Sequence, residues 1–66
     1  MERVEIGRRY RKVSVPWIVW EVVGRLTDGA GIPHVRLASV RDPTRVILIA
    51  ESVVLRAGFF ARVAPG

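Results

Sequence analysis

Three observations predict a small all-β domain, a barrel or sandwich of short strands. Seventeen residues are Val or Ile, against four Leu and six Ala, and β-branched side chains suit pleated, half-buried surfaces better than helices. Turn-forming residues recur at Gly7, at Asp28-Gly29-Ala30-Gly31, at Asp42-Pro43 and at Ala57-Gly58. The segments between them run roughly five to eleven residues, which is strand length. With 66 residues the chain is a single domain, 1–66, with residues 1–6 and 64–66 expected as frayed ends.

Five strands follow in order. The first spans Arg8 to Val13 and the second Trp17 to Thr27. Asp28 to Gly31 joins the second to the third with two glycines able to take positive φ. The third covers Ile32 to Arg41, and Asp42-Pro43-Thr44 turns the chain with proline preset for the second turn position. The fourth covers Arg45 to Ala50, Glu51 to Arg56 makes one helical or 3₁₀ turn, and Phe59 to Val63 closes as the fifth. A helix from Pro16 to Leu26 competes with the second strand, but Ile18, Val19, Val22 and Val23 oppose it and Gly24 weakens it further.

Alternation supplies a register. With Thr27 opposite Ile32, Trp20 faces Ser39, Val22 faces Leu37 and Gly24 faces Val35, so Ile18, Trp20, Val22 and Leu26 share an inner face. The outward pairs are then Arg25 with His34, Val23 with Arg36, and Glu21 with Ala38.

The composition excludes several function classes. There is no cysteine, hence no disulfide framework, thiolate metal site or thiol nucleophile. His34 is the single histidine and nothing stands at ligand spacing from it, so no metal and no cofactor is expected. Ser14, Ser39 and Ser52 share that histidine without triad spacing, and DGAGIP lacks the helix, lysine and hydroxyl of a phosphate loop. The expectation is a protein that is not an enzyme. The longest uncharged run, Val13 to Trp20, is eight residues, too short to span a membrane, and the N-terminus has no apolar signal core. A cytoplasmic protein without a membrane partner is expected.

Charge points to partners. Eleven basic against six acidic residues leave +5, and ten of the eleven cations are Arg. That balance favours nucleic acid or an acidic protein, since arginine forks onto phosphate and stacks on bases. The plain alternative is GC-rich codon usage, which raises Arg, Ala, Gly, Val and Pro together. Arg8, Arg9, Arg11 and Lys12 surround Tyr10, a cluster suited to gripping a phosphate chain and stacking one base; the plain alternative is an edge strand kept soluble by its charges. Arg25, His34 and Arg36 form a second basic patch on the hairpin, unless Glu21 pairs with Arg36 diagonally.

Trp17 and Trp20 fall on opposite faces of a continuous strand. Trp20 joins the core, and Trp17 faces outward with Val19 and Val23 as an apolar interface, unless the first strand or the C-terminal residues cover it. Residues 45–50, RVILIA, are apolar on both faces, either a central strand or an edge that pairs between chains. A monomer or a weak homodimer is expected.

Gly7-Arg8-Arg9-Tyr10, the run Trp20-Glu21-Val22-Val23-Gly24, and Glu51-Ser52-Val53-Val54-Leu55 followed by Phe59-Phe60 together resemble the first strand, the strand before the distal hairpin, and the 3₁₀ turn and closing strand of Src-homology-3-like small barrels. The chain is similar to short uncharacterised bacterial proteins of that shape. The resemblance implies a five-stranded antiparallel barrel with one short helical turn before the last strand, and a role in binding rather than catalysis. The resulting expectation is a nucleic-acid-binding module, RNA ahead of DNA, with Arg8, Arg9, Arg11, Lys12, Arg25 and Arg36 on phosphates and Tyr10 or Trp17 stacking. The alternative is a protein-interaction module built on Trp17, Val19 and Val23.

Overall fold

The computed structural model describes residues 3–64; residues 1, 2, 65 and 66, part of the ends expected to fray, lie outside the described residues. The chain forms β1 (Arg9–Lys12), β2 (Val15–Thr27), β3 (Pro33–Ser39), β4 (Val46–Ala50), α1 (Glu51–Val54) and β5 (Phe60–Arg62). All five strands lie in one antiparallel sheet in the order β4-β3-β2-β1-β5. Each predicted strand is present, trimmed at its ends or, in β2, extended by Val15 and Pro16. The outermost strands β4 and β5 do not pair, so backbone hydrogen bonding does not close the sheet into a barrel.

One face of the sheet carries the core: Val4, Tyr10, Trp20, Val22, Val35, Leu37, Val54 and Phe60 are buried. Fully burying a Val or Leu stabilises by about 1.5–3 kcal/mol. α1 crosses under this face. Its Val53 and Val54 are mediocre helix formers, and packing holds the turn, with Val54 buried and Val53 and Leu55 against the cluster. The β2–β3 loop is an Asx turn, in which Asp28 Oδ1 accepts the backbone N–H groups of Ala30 and Ile32, both at 2.9 Å. Gly31 follows at φ +81°, a conformation that favours glycine.

The β2–β3 register agrees with the sequence expectation from Trp20 to Val22 and departs beyond it. Trp20, Glu21 and Val22 oppose Ser39, Ala38 and Leu37, but a bulge at Val23 then places Gly24 opposite Arg36, Arg25 opposite Val35 and Leu26 opposite His34. One inserted residue reverses every side chain after it. Arg25, expected on the outside beside His34, therefore turns to the core face, and Leu26 leaves it.

Arg25 there completes a clamp. Its guanidinium bonds Glu51 Oε2 at 2.6 Å and also donates to the Val4 carbonyl, while the Val4 N–H donates to Glu51 Oε2 at 2.8 Å. The Arg25 guanidinium first, then the Val4 amide, holds the Glu51 carboxyl below the usual glutamate value. Val4, within the segment expected to fray, is wholly buried. Among the described residues no helix is long and apolar enough to cross a membrane.

Candidate nucleic-acid interface

The opposite face of the sheet holds a cleft of about 490 Å³ lined by Gly7, Arg8, Arg9, Trp17, Val19, Val40, Arg41, Val63 and Ala64. Four chain segments build it. The β1–β2 ladder loses register between Arg11 and Lys12, where Arg11 opposes Val19 but Lys12 opposes Val15. Pro16, which has no N–H to donate, falls in this break, and the neighbouring Trp17 stands 74% exposed. Val19 re-enters the ladder beside it.

The other walls are tied by backbone bonds. Val40 N–H donates to the Val19 carbonyl at 2.9 Å, which prolongs the β2–β3 ladder one residue beyond Trp20–Ser39 and brings Arg41 to the rim. Gly7 N–H donates to the Val22 carbonyl and Val22 N–H to the Arg8 carbonyl, both at 2.9 Å, so residues 7 and 8 prolong the β1 side. Val63 N–H donates to the Arg9 carbonyl at 2.9 Å, completing the far wall.

Among the described residues the lining combines an exposed indole and three valines with three arginines, and contains no carboxylate side chain. Arg8 and Arg9 have carboxylates close by, at Glu5 (3.3 Å) and Glu21 (3.1 Å). Ion pairs this exposed are worth about 0–1 kcal/mol, little enough to be exchanged for another anion. Among the described residues Arg41 and Arg11 make no ion pair. Arg11 stands on the same face, opposite Val19 and Ala61.

The predicted basic cluster is divided by strand alternation. Arg8 and Arg9 reach the cleft and Arg11 lies next to it, whereas Lys12 opposes Phe60 at the other face. Tyr10, expected to stack a base, is buried against Trp20, because it occupies the inward position between Arg9 and Arg11. The hairpin patch separates too. Arg36 remains exposed across from Gly24, His34 Nδ1 lies 2.9 Å from the Ile32 carbonyl, and Arg25 is engaged in the clamp. Glu21 pairs with Arg9 rather than Arg36.

The predicted apolar patch is rearranged as well. Trp17 and Val19 share the cleft, but Val23 protrudes from the bulge outside it. Val40, Arg41 and Val63 take its place and were missed. The predicted register already sets Val40 opposite Val19, but the cleft that they line also needs residues 7–9 and the Val63 wall. Two signals were nevertheless present in β2: a proline and a glycine inside a strand each mark a break or a bulge. Comparison of the chain with models of known protein families, with curated proteins and with solved structures returned no match.

Proposed function

We propose that this protein is a non-enzymatic nucleic-acid-binding module that takes an unpaired base against Trp17 and its flanking phosphates on Arg8, Arg9 and Arg41. The observation that carries this reading is an exposed indole inside a cleft whose charged side chains, among the described residues, are all arginine. Single-strand binding needs that combination: a flat ring that accepts any base face, and cations that follow the backbone. Arg11 extends the basic track along the same face. A stacking platform favours unpaired RNA over duplex DNA, whose bases are already stacked. Among the described residues the lining offers no carboxylate or histidine side chain for acid–base work, which supports binding rather than turnover. The strand order and the helical turn before β5 support assignment to the Src-homology-3-like small barrels, acting in the cytoplasm.

A second reading has its own observation. Arg8 and Arg9 already face Glu5 and Glu21, and Trp17, Val19, Val40 and Val63 make an apolar surface that an interacting protein would cover. Salt separates the two. Three arginines on three phosphates of a single strand give a salt slope of about −2, so a fourfold rise in salt weakens binding about twentyfold, while an apolar interface barely responds.

The test is an amide-shift titration with a short mixed-sequence RNA and a matching DNA duplex at low and moderate salt. Shifts at Trp17, Val19, Val40 and residues 8–11 that fade with salt are expected. Trp17→Ala should weaken RNA binding about 5- to 150-fold, the worth of one stacked base. A flat titration at low salt overturns the reading and leaves the protein-interaction surface.

A further inference from the structure

The two edges of the sheet differ in how they are guarded. β5 is three residues long and ends on the charged Arg62. β4 is Val46-Ile47-Leu48-Ile49-Ala50, with no charge, no proline and an unbroken register against β3. Edge strands are ordinarily blunted by lysine, proline or a bulge, because their free N–H and C=O groups template pairing with another strand. Val46 and Leu48 also expose 49% and 56% of their surface on the side away from the core.

The pairing directions are determined by the ladder. Ser39 N–H donates to the Arg45 carbonyl at 3.0 Å, so the pairs Ser39–Arg45, Leu37–Ile47 and Val35–Ile49 are the hydrogen-bonded ones. The backbone groups of Val46, Leu48 and Ala50 therefore point to the open edge.

We propose that β4 is a dimerisation strand: a second copy of this chain adds its own β4 antiparallel, with Leu48 opposite Leu48, joining two sheets into one. This register engages the edge from Val46 to Ala50. Leu48 exchanges N–H and C=O with Leu48 of the second copy, and each Ala50 N–H meets a Val46 carbonyl, four backbone bonds in all. On the exposed face the stripe Val46-Leu48-Ala50 meets itself reversed. A slipped register loses part of this overlap. Arg36 neighbours Leu48 on β3, so the two copies of Arg36 are three strand spacings apart, about 14 Å, beyond the Debye length at physiological salt. A five-residue strand buries less than the roughly 1,200 Å² of a standard interface, so the dimer is weak, with Kd on the order of 100 μM.

Sedimentation equilibrium of the full chain from about 10 μM to 1 mM, with amide exchange at both ends of that range, tests this. Wild type is expected to dimerise, with Leu48 and Ala50 amides gaining protection as concentration rises. Leu48→Lys places like charges opposite each other, and Leu48→Pro removes an N–H that no intrachain bond uses, so both are expected to stay folded and monomeric. If the proline variant unfolds, the lysine variant decides alone. A wild type monomeric at 1 mM overturns the proposal and leaves an extended segment of another protein as the occupant of the edge. Folded variants that dimerise like wild type overturn it also. Because each copy carries +5, added salt should not weaken the dimer, the reverse of nucleic-acid binding, so either reading can fail without the other.

Discussion

Glu51→Ala should cost more stability than any other single change to a charged side chain in this protein. Glu51 lies where β4 passes into α1, with its side chain 12% exposed, and it links β2 through Arg25 to the N-terminal segment through Val4. Removing the carboxylate leaves the Val4 N–H without its acceptor, about 1–3 kcal/mol for a buried donor, and breaks a charge-assisted bond of about 1.5–3 kcal/mol. The Arg25 side chain is 24% exposed and turns partly to water, which recovers some of this. The net loss is about 2–3 kcal/mol, out of roughly 3–10 kcal/mol for a domain of this size. At about 4–8 °C per kcal/mol the Tm falls by some 10–20 °C.

Urea and thermal unfolding at pH 7, followed by tryptophan fluorescence, measure it. Arg25→Ala and the double variant complete a cycle whose coupling is expected at about 1–2 kcal/mol. The dependence on pH has a definite sign. The folded-state carboxyl titrates below its unfolded value, so its stabilisation is complete above the unfolded glutamate value and disappears as pH falls through the folded one. The gap between wild type and Glu51→Gln must therefore narrow in acid. A Glu51→Ala variant within about 0.5 kcal/mol of wild type, or an additive cycle, would refute the clamp as a stabilising element.

Two further expectations concern the strands and turns. Leu37→Ala, at a wholly buried site on β3, should cost about 2–5 kcal/mol in urea unfolding, whereas the exposed Leu48→Ala on the neighbouring strand should stay within about 0.5 kcal/mol; equal losses would contradict the assigned faces. Gly31→Ala must enter φ +81° and should lose about 1–2 kcal/mol. Gly24→Ala meets only Arg36 Cβ and Cδ at 3.8 Å, ordinary contact at a φ that is not positive, so it should be neutral or stabilise by up to about 1 kcal/mol.

What the sequence determined is what period and turn chemistry dictate. Alternating Val and Ile, the DGAG and DPT turns and the ESVV turn before Phe60 specify five strands and one helical turn, and the Trp20–Ser39 and Val22–Leu37 pairs follow from counting across one loop. Period-two counting holds only while a strand is regular, and Val23 ends that regularity. After the bulge the same count places Arg25 on the wrong face, and the clamp with Glu51 and Val4 disappears from view. Tyr10 shows the same limit differently. Its position among four cations is a local fact, but its burial depends on which face of β1 meets Trp20.

The cleft lay furthest beyond reach. Gly7, Trp17, Val40 and Val63 are brought together by backbone bonds linking residues 7 to 22, 40 to 19 and 63 to 9. The contact of 40 with 19 follows from the predicted register, but the links from 7 to 22 and from 63 to 9 leave no local pattern to read. Only the pairing of β1 with both β2 and β5, where backbone N–H groups find their carbonyls, decides which arginines meet the exposed tryptophan.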